Sequence, residues 1–187
     1  MRKRLTQTAV SAAGAVAILA GGAVATPTPA RAGSADWGRA CMFNAPKVVP
    51  KAGHVAWAVK VPKEKDHWIW GSFNRNEAWI HGGTWKNVRA SFSPAAGYTR
   101  YRCTYTRDGN VRNAQAAYKA VRGRGYSLLT NNCLHMSMAV FKGYSSILRR
   151  DTRLPSATPG AGTMGRPNDY FTTTLDKAHW ERIHRLP

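Results

Sequence analysis

Acidic residues are scarce in this chain: 9 Asp and Glu stand against 28 Lys and Arg, giving a formal charge of +19 over 187 residues. Such a chain is drawn to anionic surfaces through long-range fields that salt screens. The cations are scattered, with no run of about five or six like charges, so no dedicated nucleic-acid arm or site is expected. Long apolar runs are equally few. Ala9 to Ala25 is the one extended stretch, short and rich in small residues, and nothing after it suits a membrane span. Internal repeats are absent. So are the Cys-x-x-Cys and His-Glu-x-x-His spacings of metal sites; Cys133-Leu-His135 has ligand-like spacing but stands alone, and no metal or organic cofactor is expected.

What is present begins at the amino end. Arg2, Lys3 and Arg4 precede the apolar run, and Ala30-Arg31-Ala32 reads as a small-residue cleavage site. Residues 1–32 are therefore expected to be a secretory signal peptide. Lys3 separates the two arginines, which points to Sec-type rather than twin-arginine export. Removing these residues, four of them basic and none acidic, leaves 155 residues and a formal charge of +15. That length suits one globular domain over 33–187, monomeric and extracellular, with a loop-rich extension from about residue 144. Three cysteines, Cys41, Cys103 and Cys133, remain in an exported chain. With an odd count, at most one intramolecular pair forms and one thiol is left over.

Gly33 to Pro50 reads as irregular. From His54 to Val61 the apolar positions Val55, Trp57, Val59 and Val61 recur every second residue, the period of a strand. A polar stretch, Pro62 to Asp66, separates it from a second run, His67 to Asn74, and the two read as a hairpin. A loop centred on Glu64 makes paired residues sum to 128, placing His54 opposite Asn74 on one face. Trp57, Trp68 and Trp70 lie in this hairpin, and alternation assigns at least part of them to the core. Ala78 to His81 is a further short strand, Asn87 to Phe92 alternates again, and Tyr98 to Arg107 is a longer strand closed by Asp108-Gly-Asn110. Asn113 to Val121 has helical spacing. A second helix starts at Cys133, capped by Asn131 or Asn132, with Gly143 as its expected terminating glycine. Leu154 to Pro167 reads as a surface loop, and the apolar residues between Asp169 and Pro187 as a segment that docks on the domain. The fold class is α+β, an antiparallel sheet packed on helices.

Cys133 in a first helical turn has the position of a nucleophile, because backbone N–H groups and the helix dipole lower a thiol's pKa and an adjacent imidazole lowers it further. His54 is the candidate imidazole. Its orienting partner is Asn74 from the hairpin register, with Ser72 and Glu77 as alternatives, and the Cys133 N–H with the Asn132 amide forms a candidate oxyanion site.

A histidine on a first strand, a polar partner on the next and Asn-Cys at a helix start together resemble the circularly permuted papain-like hydrolases, related to NlpC-type cell-wall peptidases and to the lecithin:retinol acyltransferase group. The resemblance covers about residues 53–143. It implies a site of His54, Asn74 and Cys133, although acyltransferase-like members often carry a second histidine at the middle position, for which His67 is the nearest alternative. With Cys133 as nucleophile, Cys41 and Cys103 become the disulfide. The implied reaction is thiolate attack on an amide or ester, most readily in cell-wall peptide, through an acyl-enzyme. The rival expectation is a non-catalytic basic protein that binds anionic wall polymer.

Overall fold

The computed structural model describes residues 37–154, 166–178 and 180–187. The expected signal segment, most of the expected 154–167 loop and His179 lie outside them. The class is α+β, built on a six-stranded antiparallel sheet. Its strands are β1 (Gly38–Ala45), β2 (His54–Lys60), β3 (Trp68–Phe73), β4 (Ala78–Gly83), β5 (Arg100–Thr106) and β6 (His184–Arg185), in the order β4-β3-β2-β1-β5-β6.

β1 corrects the reading of Gly33 to Pro50 as irregular. It lies between β2 and β5 with all but one residue buried. Ala40 and Met42 face one side and Cys41 and Phe43 the other. A strand covered on both faces loses the alternation by which strands are recognised.

The β2–β3 hairpin has the expected register: Trp57 pairs with Gly71, Ala58 with Trp70, Val59 with Ile69 and Lys60 with Trp68. Gly71 is required there, because a Cβ would lie 2.8 Å from the Trp57 ring and 2.4 Å from the Trp79 carbonyl. The ladder ends at that pair, three residues short of His54. Beyond it β3 pairs only with β4, and the Asn74 N–H donates to the Glu77 carbonyl in the turn between them.

Asn87 to Phe92 is not a strand. Residues 87–91 belong to helix α1 (Trp85–Ser91), with Phe92 as its C-cap, because Thr84 and Asn87 form a reciprocal capping box that satisfies the first-turn donors. Helix α2 (Val111–Arg122) is capped by Asn110, and α3 (Cys133–Tyr144) by Asn132. α3 runs through Gly143 instead of stopping there. A Cβ on Gly143 would meet the Asn113 carbonyl oxygen at 2.8 Å and Ala117 Cβ at 3.0 Å, so this glycine serves the close approach of α3 to α2. A short helix, α4 (Ser146–Arg150), follows.

The helices divide between the two faces of the sheet. α2, α3 and the C-terminal helical residues 167–177 cover the face of Val55, Trp57 and Val59. The opposite face carries a layer of Phe43, Trp68, Trp70, Phe92 and Tyr98 around a disulfide between Cys41 and Cys103. Trp57 is buried on one face and Trp68 and Trp70 on the other, because both faces are covered. The C-terminal segment is held by the buried Arg102, whose guanidinium donates to Asp176 Oδ1 at 2.6 Å and to the carbonyls of Phe171 and Glu181. Among the described residues no helix is long and apolar enough to cross a membrane.

Candidate active site

His54 is the first residue of β2 and Cys133 the first of α3, and both line one cavity of about 330 Å³. The loop of residues 46–53 and the loop of residues 123–132 form its walls, with Arg166 and Pro167 on a third side. The first loop is held by the Asn168 side chain, which donates to the Pro46 carbonyl at 3.1 Å and accepts from Asn44 Nδ2 at 3.0 Å. Gly53 makes that clamp possible. Its φ is +71°, and a Cβ would sit 2.1 Å from Asn168 Oδ1.

The imidazole is held from its far side. His54 Nε2 and Ser72 Oγ are 2.8 Å apart, and Ser72 Oγ lies 3.4 Å from the Tyr98 hydroxyl. Tyr98 also meets the ring edge-on, with centroids 6.0 Å apart. In the hairpin register Ser72 faces Ala56, so His54 leans one pair diagonally along the sheet to reach it, a distance that side chains span readily. Asn74, the first candidate for this role, is exposed, and its Oδ1 accepts from the N–H groups of Asn76 and Glu77. It serves the β3–β4 turn, and Glu77 lies in the same turn. His67 pairs with Glu64 at 2.7 Å on the exposed hairpin loop. Of the candidate partners, the structure brings only Ser72 to His54.

Tyr98 was not foreseen as part of the site. It comes from the loop before β5, through a turn ended by Gly97 at φ +85°, and no local pattern ties that loop to His54.

Cys133 is the one free cysteine. Its side chain is surrounded by protein, and backbone N–H groups of Val55, Leu134 and Cys133 itself favour the thiolate. Burial outweighs them: it pushes the thiol up to about 11, the reverse of the lowering expected from the helix position. Burial likewise lowers His54 to about 4, so the resting site holds a thiol and a neutral imidazole. The two make no hydrogen bond to each other among the described residues. His54 Nε2 is engaged with Ser72 Oγ, while the thiol faces the backbone N–H groups of Val55, Leu134 and Cys133.

Asn132 is spent on the helix cap. Its Oδ1 accepts from Leu134 N–H at 2.9 Å and His135 N–H at 3.3 Å, and its Nδ2 donates to the Leu128 carbonyl at 2.7 Å. Its oxygen is thus committed to the cap, and one of its two Nδ2–H donors to the loop carbonyl. His135 is buried, with Nδ1 3.0 Å from Asn132 Oδ1. Its spacing from Cys133 thus reflects the cap, and no three potential metal ligands gather among the described residues.

No family model, curated protein or solved structure matches the chain.

Proposed function

We propose that the protein is an exported thiol hydrolase or acyl transferase of the permuted papain-like kind, attacking an amide or ester bond, with cell-wall peptide as the leading substrate. The observation that carries this reading is the shared cavity: a free cysteine at a helix start and a histidine held from its far nitrogen open onto the same space. With Nε2–H donating to Ser72 Oγ and Ser72 donating to Tyr98, Nδ1 keeps the lone pair of a general base. As Sγ bonds to the carbonyl carbon, Nδ1 takes the thiol proton. The tetrahedral intermediate expels an amine or alcohol, which receives that proton, and leaves a thioester on Cys133. Water or an acceptor amine attacks the thioester and regenerates the thiol. The lack of a thiol–imidazole hydrogen bond at rest is consistent with catalytic contacts that tighten only on substrate binding.

Digestion of purified sacculi tests the proposal. New amino termini or shortened stem peptides should appear with the wild type and be lost in Cys133→Ser and His54→Ala. A digestion that either variant reproduces refutes it.

One observation favours the rival reading, a non-catalytic basic protein that binds anionic wall polymer: the thiol is buried and protonated at rest. That reading predicts wall sedimentation that salt abolishes and Cys133→Ser leaves intact, with no change in the wall peptides.

A further inference from the structure

The loop that leads to Cys133 carries the two most exposed large apolar side chains of the described residues, Leu128 at 63% and Leu129 at 71% exposure. They are not loosely placed. Ser127 and Asn131 exchange both backbone hydrogen bonds at 3.0 Å, closing the loop beneath them. Thr130 Oγ1 donates to Ser127 Oγ at 2.8 Å, Asn132 Nδ2 donates to the Leu128 carbonyl at 2.7 Å, and Asn131 Nδ2 donates to the Val121 carbonyl at 3.0 Å. A loop pinned at both ends and from below holds the two leucines out in water, a cost that a contact surface would recover.

The charges nearest this pair along the chain are basic. Arg122 and Arg124 are exposed just before it, Lys47 and Lys51 are exposed on the loop across the cavity, and Arg166 is exposed on the third side. Residues 45–53 and 121–134 contain no Asp or Glu. Two carboxylates stand at the edge of this surface: Asp169, exposed three residues after Arg166, and Glu77, whose charge acts on Tyr118 one turn before Arg122. Val48, 53% exposed, adds a third apolar side chain on the lysine loop.

We propose that this rim docks the protein on an anionic lipid bilayer, with Leu128 and Leu129 entering the interface and the surrounding cations meeting the headgroups. Anionic polymer would engage the cations but offers the leucines no apolar phase. A bilayer satisfies both, since apolar insertion and headgroup attraction add. Docked this way, the mouth of the Cys133 cavity faces the lipid. The surface goes beyond the chemistry proposed above and does not depend on it.

The test is co-sedimentation of the chain freed of residues 1–32, within which no described residue lies. The vesicles are pure phosphatidylcholine, or phosphatidylcholine with about one third phosphatidylglycerol, and purified sacculi form a third arm. The wild type should bind the anionic vesicles and lose that binding as salt rises. Leu128→Ser/Leu129→Ser should weaken it at least about tenfold, given the transfer free energy of two leucines. Arg122→Gln/Arg124→Gln should weaken it and flatten the salt dependence. Cys133→Ser should bind as the wild type does, whatever becomes of the hydrolase activity. An unchanged thermal transition establishes that the exposed leucine pair is not needed for folding; if that variant unfolds, Leu129→Ser alone, with the same loss expected in direction, decides. Vesicle binding indifferent to the leucines overturns the proposal in favour of adsorption by charge alone. So does binding to sacculi without binding to vesicles.

Discussion

Alkylation of Cys133 distinguishes a neutral resting site from a preformed thiolate–imidazolium pair. Burial holds the thiol at about 11, despite three backbone N–H groups that favour the thiolate. At pH 8 about one Cys133 in a thousand is then ionised, against about one in four for a free thiol of pKa about 8.5. The native side chain should therefore react with iodoacetamide about 200-fold more slowly than the same cysteine in urea. At 4% exposure, restricted access can only slow it further. Following the rate by intact mass from pH 6 to 11 should give a native midpoint above about 10. Because no ion pair forms at rest, His54→Ala should leave the native rate at pH 8 within about twofold. A midpoint below that of a free thiol, abolished by His54→Ala, would establish the ion pair and refute the neutral site.

Further consequences follow from burial and packing. His54 is held near 4 when folded against an ordinary 6.5, so the unfolded chain binds the extra proton between those values and stability falls as pH drops through that window. The loss from pH 6.5 to 4 should be about 3 kcal/mol, measured by urea unfolding, and His54→Gln should remove that part of the slope. The Cys41–Cys103 disulfide closes a loop of sequence separation 62, so Cys41→Ala/Cys103→Ala should cost about 4 kcal/mol in the same assay. Gly143→Ala gains about 1 kcal/mol of helix propensity. It should nevertheless destabilise by about 1 to 2 kcal/mol net, because the new methyl would press on the Asn113 carbonyl at 2.8 Å; a stabilised variant would mean that α2 and α3 separate freely.

The elements that sequence revealed are those with one kind of neighbour on each side. The β2–β3 hairpin alternates, has a polar loop of definite length, and folds in the register that counting gives. The start of α3 carries its own capping chemistry in Asn132. β1 was hidden because both of its faces are buried, and α1 because its short run alternates as a strand would, while the Thr84–Asn87 capping box decides the outcome. Gly143 has the position of a helix stop but fills a helix contact, which only the partner helix makes visible.

The candidate site was legible in part for the same reason. His54 and Cys133 stand out locally and do share a cavity. Their third partner depended on where the hairpin ladder ends. The register was right, but the ladder stops at Trp57 and Gly71, Asn74 turns into its own loop, and the imidazole leans back to Ser72. Tyr98 arrives from a loop that nothing local links to His54. The state of the thiol depended on burial, a property of the assembled fold that outweighs the helix start.

In the proposed reaction Cys133 becomes acylated, with His54 as its base and Ser72 as the group that holds the base. Acid-quenched intact mass and peptide mapping of the protein mixed with solubilised wall peptides tests this directly. A single adduct is expected, labile to hydroxylamine and confined to Cys133, absent in Cys133→Ser and His54→Ala and reduced in Ser72→Ala. Shortened wall peptides formed without any Cys133 adduct, or wall binding with neither adduct nor product, would contradict it.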